Sequence, residues 1–143
     1  MPKTDEFTFV VPGEVRGKGR PKATSRSGFV RLYTDAKTVS YENLVRICAL
    51  EAMKGRAPYA GPVAIEMLAY YGIPKSTPKK HIPDMVSGFK RPTKKPDLDN
   101  VLKAVLDGLN TVAFDDDAQV VQIDCQKFYG ETPHLVVTVQ EWA

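Results

Sequence analysis

Two aspartates two residues apart open the stretch "KKPDLDNVLKAVLDGLN", Lys94 to Asn110, and three consecutive aspartates follow it in "FDDDAQVV". Asp97, Asp99, Asp115, Asp116 and Asp117 are hard oxygen donors with no His or Cys near them in sequence, the ligand type that suits Mg2+ or Mn2+. An ion held by a few carboxylates together with water and phosphate oxygens can activate a water for attack on a phosphodiester, and a neighbouring lysine ammonium stabilises the charge that develops. Lys94 and Lys95 stand directly before the first pair of acids.

Plainer readings of the same residues exist. Asp97 after Pro96 suits an N-cap, and Asp99 suits the positive first turn of a helix dipole. Asp99 and Lys103 are an i, i+4 acid-to-base pair, worth about 0.3–0.5 kcal/mol on a solvated face. Those readings leave the aspartate triplet unexplained. Three adjacent like charges repel unless water or a cation intervenes, and a turn needed only for its geometry is more easily made with Asn, Gly or Ser.

The elements that must position these acids follow from periodicity. Leu98, Val101, Leu102, Val105, Leu106, Leu109, Val112 and Ala113 form an unbroken helical stripe, which puts Asp99, Lys103 and Asp107 on successive turns of the polar side. A helix of about 14 residues is roughly 20 Å long, so the acids at its two ends meet only if a neighbouring strand or a second subunit closes the distance. An earlier helix is predicted over Thr38 to Lys54, with Tyr41, Leu44, Val45, Cys48 and Ala52 on one face and Gly55 as its stop. Phe7 to Val11 and Val63 to Gly72 read as strands, the latter alternating Val63, Ile65, Met67, Ala69 and Tyr71. Phe29 to Thr34 reads as a short strand returning from a basic, glycine-rich loop, "GEVRGKGRPKATSRSG", in which glycine lets the backbone approach phosphates. Two further strands close the sequence. The first sets Val121, Ile123, Cys125 and Tyr129 on one face, the second runs from Leu135 to Trp142, and Gly130 to Pro133 joins them as a hairpin.

One domain over residues 1–143 is expected, of α+β class: a two-layer sandwich with a mixed β-sheet and two main α-helices. A connection from Ile73 to Lys95 holds four prolines (Pro74, Pro78, Pro83 and Pro92), and its middle piece "HIPDMVSGF" is apolar enough to fold over something or meet a partner. Phe89, between basic residues, is the candidate there for insertion at an opened DNA branch point.

The formal charge of +3 is mild but segregated. Arg16, Lys18, Arg20, Lys22, Arg26, Arg31 and Lys37 form one basic cluster; Lys75, Lys79, Lys80, Lys90, Arg91, Lys94 and Lys95 form another. Asp97 to Asp124 carries seven aspartates and one base, Lys103. That pattern predicts a polyanion-binding surface beside an acidic pocket. Cys48 and Cys125 sit in apolar periods and read as core thiols, and His81 and His134 stand alone and read as structural or surface residues. No apolar run approaches a membrane span and no signal-peptide pattern opens the chain, so a cytoplasmic protein with no membrane partner and no small-molecule cofactor is expected.

"PDLDNVLKAVLDGLN" followed closely by "DDDAQVV" resembles the core signature of the RusA-type Holliday junction resolvases, small Mg2+-dependent endonucleases common in prophages. The likeness is specific from Lys94 to about Phe128 and looser elsewhere, where it includes the "GKGRPK" loop. It implies that Asp97, Asp99 and Asp117 ligate Mg2+ (or Mn2+), that Asp116 matches the other acid of the family's pair, and that Lys103 matches its essential lysine. It also implies a homodimer that offers two active sites to a four-way junction in DNA recombination and repair. Arg16, Lys18, Arg20, Lys22, Lys94 and Lys95 are the candidate DNA contacts. Asp115 has no necessary counterpart, and Ile73 to Lys95 is longer than in compact relatives. A metal-dependent nuclease for other branched or duplex DNA, and a non-catalytic dimeric nucleic-acid-binding module, are the alternatives.

Overall fold

A strict alternation of large apolar and other residues builds the central strand of the protein. The computed structural model describes the backbone of residues 5–18, 22–26, 29–33 and 36–142, and the side chains of residues 5–18 and 40–142. Its strands are β1 (Glu6–Pro12), β2 (Lys22–Arg26), β3 (Phe29–Tyr33), β4 (Val63–Gly72), β5 (Val120–Gly130) and β6 (His134–Glu141), and its helices are α1 (Ala36–Met53), α2 (Ile82–Val86) and α3 (Leu98–Leu109). The four-stranded sheet has the order β1-β6-β4-β5, with β4 and β5 parallel and the other two pairings antiparallel. β2 and β3 form a separate antiparallel ribbon. This is the expected α+β class with a mixed sheet and two main helices.

On β4, Val63, Ile65, Met67, Ala69 and Tyr71 are all buried against α1 and α3. The two helices are in tight contact at Gly108, where an added Cβ would lie 2.8 Å from the Glu42 carbonyl oxygen and 2.9 Å from Val45 Cγ1. Backbone cannot move aside as a flexible side-chain tip can. Gly108→Ala is therefore expected to be destabilising although alanine is the better helix former, with overpacking of about 1–3 kcal/mol outweighing a propensity gain of about 1 kcal/mol. A melting temperature lowered by about 3–6 °C would be the readout, and an unchanged one would show that the helices can separate freely.

Four expectations are corrected. First, β5 and β6 are not a hairpin: β4 lies between them, and the turn Glu131–Pro133 passes over the end of β4. Glycines make this crossing possible. A Cβ at Gly130 would come within 3.3 Å of Tyr70, and Gly72 faces the Pro133 ring. β4 takes the centre because its core-facing side is wholly apolar, whereas β5, with Gln122, Asp124 and Gln126, tolerates an edge. Second, the apolar face that Val121 and Ile123 were expected to share with Cys125 and Tyr129 is not covered at its start, where Val121 and Ile123 are 55% and 46% exposed. Third, α3 stops at Leu109. Thr111 adopts a left-handed conformation (φ +68°), Arg46 donates to its Oγ1 at 2.8 Å and to the Asn110 carbonyl, and Val112 and Ala113 are buried from a turn beyond the helix. Fourth, part of the basic loop, Lys22–Arg26, is strand β2, drawn into the ribbon by pairing with β3.

The long connection is folded. Residues 79–81 form a 3-10 turn and α2 follows, with Met85 buried. Arg91 then clamps the segment to the edge of β5, donating to the Lys127 carbonyl at 3.0 Å and lying over the Phe128 ring at 4.0 Å. Phe128 stacks on Tyr70, and Tyr70 on His134, whose Nδ1 bonds the Thr132 carbonyl. Cys48 and Cys125 are free thiols, both half-buried. No helix among the described residues is long and apolar enough to cross a membrane.

Candidate active site

α3 begins where the connection is most tightly held. The Tyr71 hydroxyl, buried under the end of β4, donates to the Pro96 carbonyl, and Lys127 Nζ donates to the Lys94 carbonyl at 2.7 Å while sitting 5.0 Å from the Tyr71 ring. Burial and then the negative charge of Asp97 push the Tyr71 hydroxyl up to about 12, so it stays a proton donor throughout the physiological range. Asp97 occupies the N-cap position, with φ −70° and ψ 151°, yet its side chain makes no capping bond. Asp99, one residue into the helix, is exposed. Asp99 and Lys103 form no ion pair among the described residues, so the i, i+4 pairing is not what places them.

Asp97 lines a cleft of about 740 Å3 shared by the loop after β1, the end of β4 and both ends of the long connection. Its charged wall consists of Glu14, Arg16, Lys18, Lys75, Lys94, Lys95 and Asp97, five cations against two carboxylates. Lys94 and Lys95 are exposed at the entrance to α3. Arg16 keeps a loose pair with Glu14 at 3.9 Å.

Lys18 is different. Its ammonium pairs with Asp107 and, at 3.5 Å, with Glu42, and its backbone N–H donates to the Asn100 carbonyl at 2.9 Å. The hydrogen bond to Asp107 raises its pKa against the opposing effect of burial. The neighbouring glycine explains the fit: a Cβ on Gly17 would stand 2.9 Å from Asn100 Cβ. Here the glycine brings the loop close to α3, whereas the sequence suggested a close approach to phosphate. Arg20 lies outside the described residues, and Lys22 is placed only as backbone in β2.

The acids beyond α3 are held by one side chain. Gln119 accepts from the N–H groups of Asp115 and Asp116 at 2.9 and 3.1 Å, and its amide donates to the carbonyls of Tyr59 and Gly61. The resulting 3-10 turn, Asp117–Gln119, packs beside α3. Partial desolvation, then a hydrogen bond with Asp116 and the charges of Asp116 and Asp107, raise the Asp117 pKa. Asp107 is thus the α3 acid that faces the triplet. Among the described residues no three His, Cys, Asp or Glu side chains already sit close enough to hold an ion. The donors nevertheless fit a hard divalent cation in kind: Asp97, Asp99, Asp116 and Asp117 are all carboxylates, and Mg2+ needs only one or two from a protein when water and phosphate oxygens complete its shell.

Sequence reasoning missed Tyr71 and Gln119 as supports. The Gln of "DDDAQ" was a visible signal for the second, whereas nothing near Tyr71 in sequence announces a bond to Pro96.

Unspent carboxylates at a helix start, next to a cation-lined cleft in an α+β domain, suit an enzyme that processes a polyanion with a metal ion. Comparison of sequences narrows this class. Residues 12–140 match Endodeoxyribonuclease RusA, and the chain belongs to the RusA family. It is also 36% identical over 139 residues to the uncharacterized protein YqaN of Bacillus subtilis (strain 168), a match covering 96% of this chain and 97% of that one. RusA-family proteins are Holliday junction endonucleases that depend on a divalent metal, and the protein is accordingly an endodeoxyribonuclease of that kind.

Proposed function

We propose that the protein resolves four-way DNA junctions by symmetric, Mg2+-dependent phosphodiester cleavage, acting as a homodimer in recombination and repair. The supporting observation is the state of Asp97 and Asp99, which open α3 with no capping bond and no ion pair among the described residues while cations crowd the adjoining cleft. When bound, the ion supplies Lewis acidity and an activated water. Asp97 and Asp99 would hold it, and Asp117 and Asp116, which lie beside the Asp107 end of α3, would join them from the second subunit of the homodimer. Lys103, exposed one turn further along α3, stabilises charge on the phosphate. Arg16, Lys75, Lys94 and Lys95 take the flanking phosphates, which position the backbone without reading sequence. A cytoplasmic setting agrees with the two free thiols, and a phage-derived origin with the family likeness.

The test is incubation of an end-labelled synthetic four-way junction with the protein, with Mg2+ or with EDTA, and with excess linear duplex. Paired symmetric nicks that require Mg2+ and survive the duplex are expected. Equal cutting of the linear DNA would make it a broader nuclease. Binding without cleavage under Mg2+ and Mn2+ would make it a binding module.

A further inference from the structure

The folded connection between β4 and α3 carries a feature that phosphate contact and metal binding leave unused. In α2 and the turn after it, Met85 is 3% exposed and Pro92 is buried, while Val86 is 59% and Phe89 85% exposed. One short element therefore anchors itself with two apolar residues and presents two others to solvent. Its backbone is well tied. Ser87 N–H donates to the Pro83 carbonyl at 3.0 Å, Lys90 N–H to the Asp84 carbonyl at 2.9 Å, and Gly88 (φ +85°) reverses the chain so that Phe89 stands at the tip. Arg91 fastens the base of this knob by donating to the Gly88 carbonyl at 2.6 Å and to the Lys127 carbonyl on β5 at 3.0 Å. The aromatic ring is thus carried on a braced mount.

Charge identifies what the knob meets. From Pro74 to Lys95 the bases are Lys75, Lys79, Lys80, Lys90, Arg91, Lys94 and Lys95, and the only acid is Asp84. Lys79, Lys80 and Lys90 have no ion-pair partner among the described residues. An apolar protein partner would not call for so many uncompensated cations, and a bare phosphate backbone would not call for a ring. A nucleic acid with an unstacked base satisfies both, since the ring offers a stacking face and the lysines hold the strand. Both ends of the connection, Ile73 to Lys75 and Lys94 to Lys95, line the cleft beside Asp97, so DNA held there runs continuously onto this segment.

We propose that Phe89, supported by Val86, is a stacking wedge that takes an unpaired base at the centre of an opened four-way junction. The proposal rests on the junction reading above and adds to it a residue that distinguishes branched from linear DNA.

The test uses the full-length protein, Phe89→Ala and Phe89→Trp, with 2-aminopurine placed either at the branch point or within an arm of a synthetic junction. Phe89 is exposed, so neither substitution disturbs the core. Wild type and Phe89→Trp are expected to change the fluorescence at the branch point and not in the arm. Phe89→Ala is expected to lose most of that change and to bind the junction about tenfold more weakly, with affinity for linear duplex and its salt slope unchanged. Equal branch-point signals and affinities for wild type and Phe89→Ala would overturn the wedge. So would an equal loss on junction and duplex, or a loss of self-association by Phe89→Ala, which would mark the ring as a contact between copies. The binding and fluorescence assays need no cleavage. A wild type that fails to cut junctions therefore sinks the proposed function, whereas an indifferent Phe89→Ala sinks the wedge.

Discussion

Asp99→Asn is expected to lower junction cleavage by about 10³-fold or more while leaving junction binding intact, because a lost metal ligand removes several kcal/mol of stabilisation from the reaction alone. The substitution is nearly isosteric. Asp99 is exposed and its carboxylate makes no hydrogen bond or ion pair among the described residues, so the fold loses only a favourable charge in the first turn of α3, worth about 0.3–1 kcal/mol. Removing a negative charge beside the phosphates does not weaken DNA binding and can strengthen it. The signature is therefore a split: single-turnover cleavage falls, the dissociation constant at fixed salt holds or improves, and the melting temperature barely moves. Wild type in EDTA should behave in the same way. Asp115→Asn is the control, since among the described residues only the Asp115 backbone N–H is used, in its bond to Gln119, and this variant should cut normally. Wild-type cleavage by Asp99→Asn would remove Asp99 from the metal site and leave α3 opening on two acids with no chemical role.

The acids were legible because their spacing is unusual and the stripe of α3 is unambiguous, and the β4 alternation was legible for the same reason. What the sequence did not disclose is which elements are neighbours. A period of two identifies β5 and β6 as strands, but the turn Glu131–Pro133 has the same composition whether it closes a hairpin or crosses the end of β4. Val112 and Ala113 continue the helical period beyond Leu109, and only the left-handed Thr111 and its bond from Arg46 reveal the break. Lys18 gives the clearest lesson. In "GEVRGKGRPK" it is indistinguishable from its basic neighbours, and its partner Asp107 is 89 residues away. The same limit hid the bond from Tyr71 to Pro96, which fixes the start of the helix that carries the site.

That difference among the bases yields the second large effect. Replacing Arg16, Lys94 and Lys95 together with alanine should weaken junction binding and make the plot of log affinity against log salt less steep by about 2.7, because each lost phosphate contact withdraws about 0.9 from the slope. Lys94 and Lys95 are exposed, and Arg16 has only the loose pair with Glu14 at 3.9 Å, so their removal costs the fold little. Lys18→Ala should give the opposite pattern. Its ammonium is already committed to Asp107 and Glu42, so the change leaves those half-buried carboxylates facing each other across the contact between α1 and α3, and unfolds the protein earlier while the salt slope stays near wild type. Measuring slope and melting temperature on both variants separates the two roles. A triple variant with an unchanged slope would mean that the cleft is not the phosphate track. A Lys18→Ala protein of normal stability with a flattened slope would mean that the ammonium leaves Asp107 for DNA, so that the ion pair holds the loop only until substrate arrives.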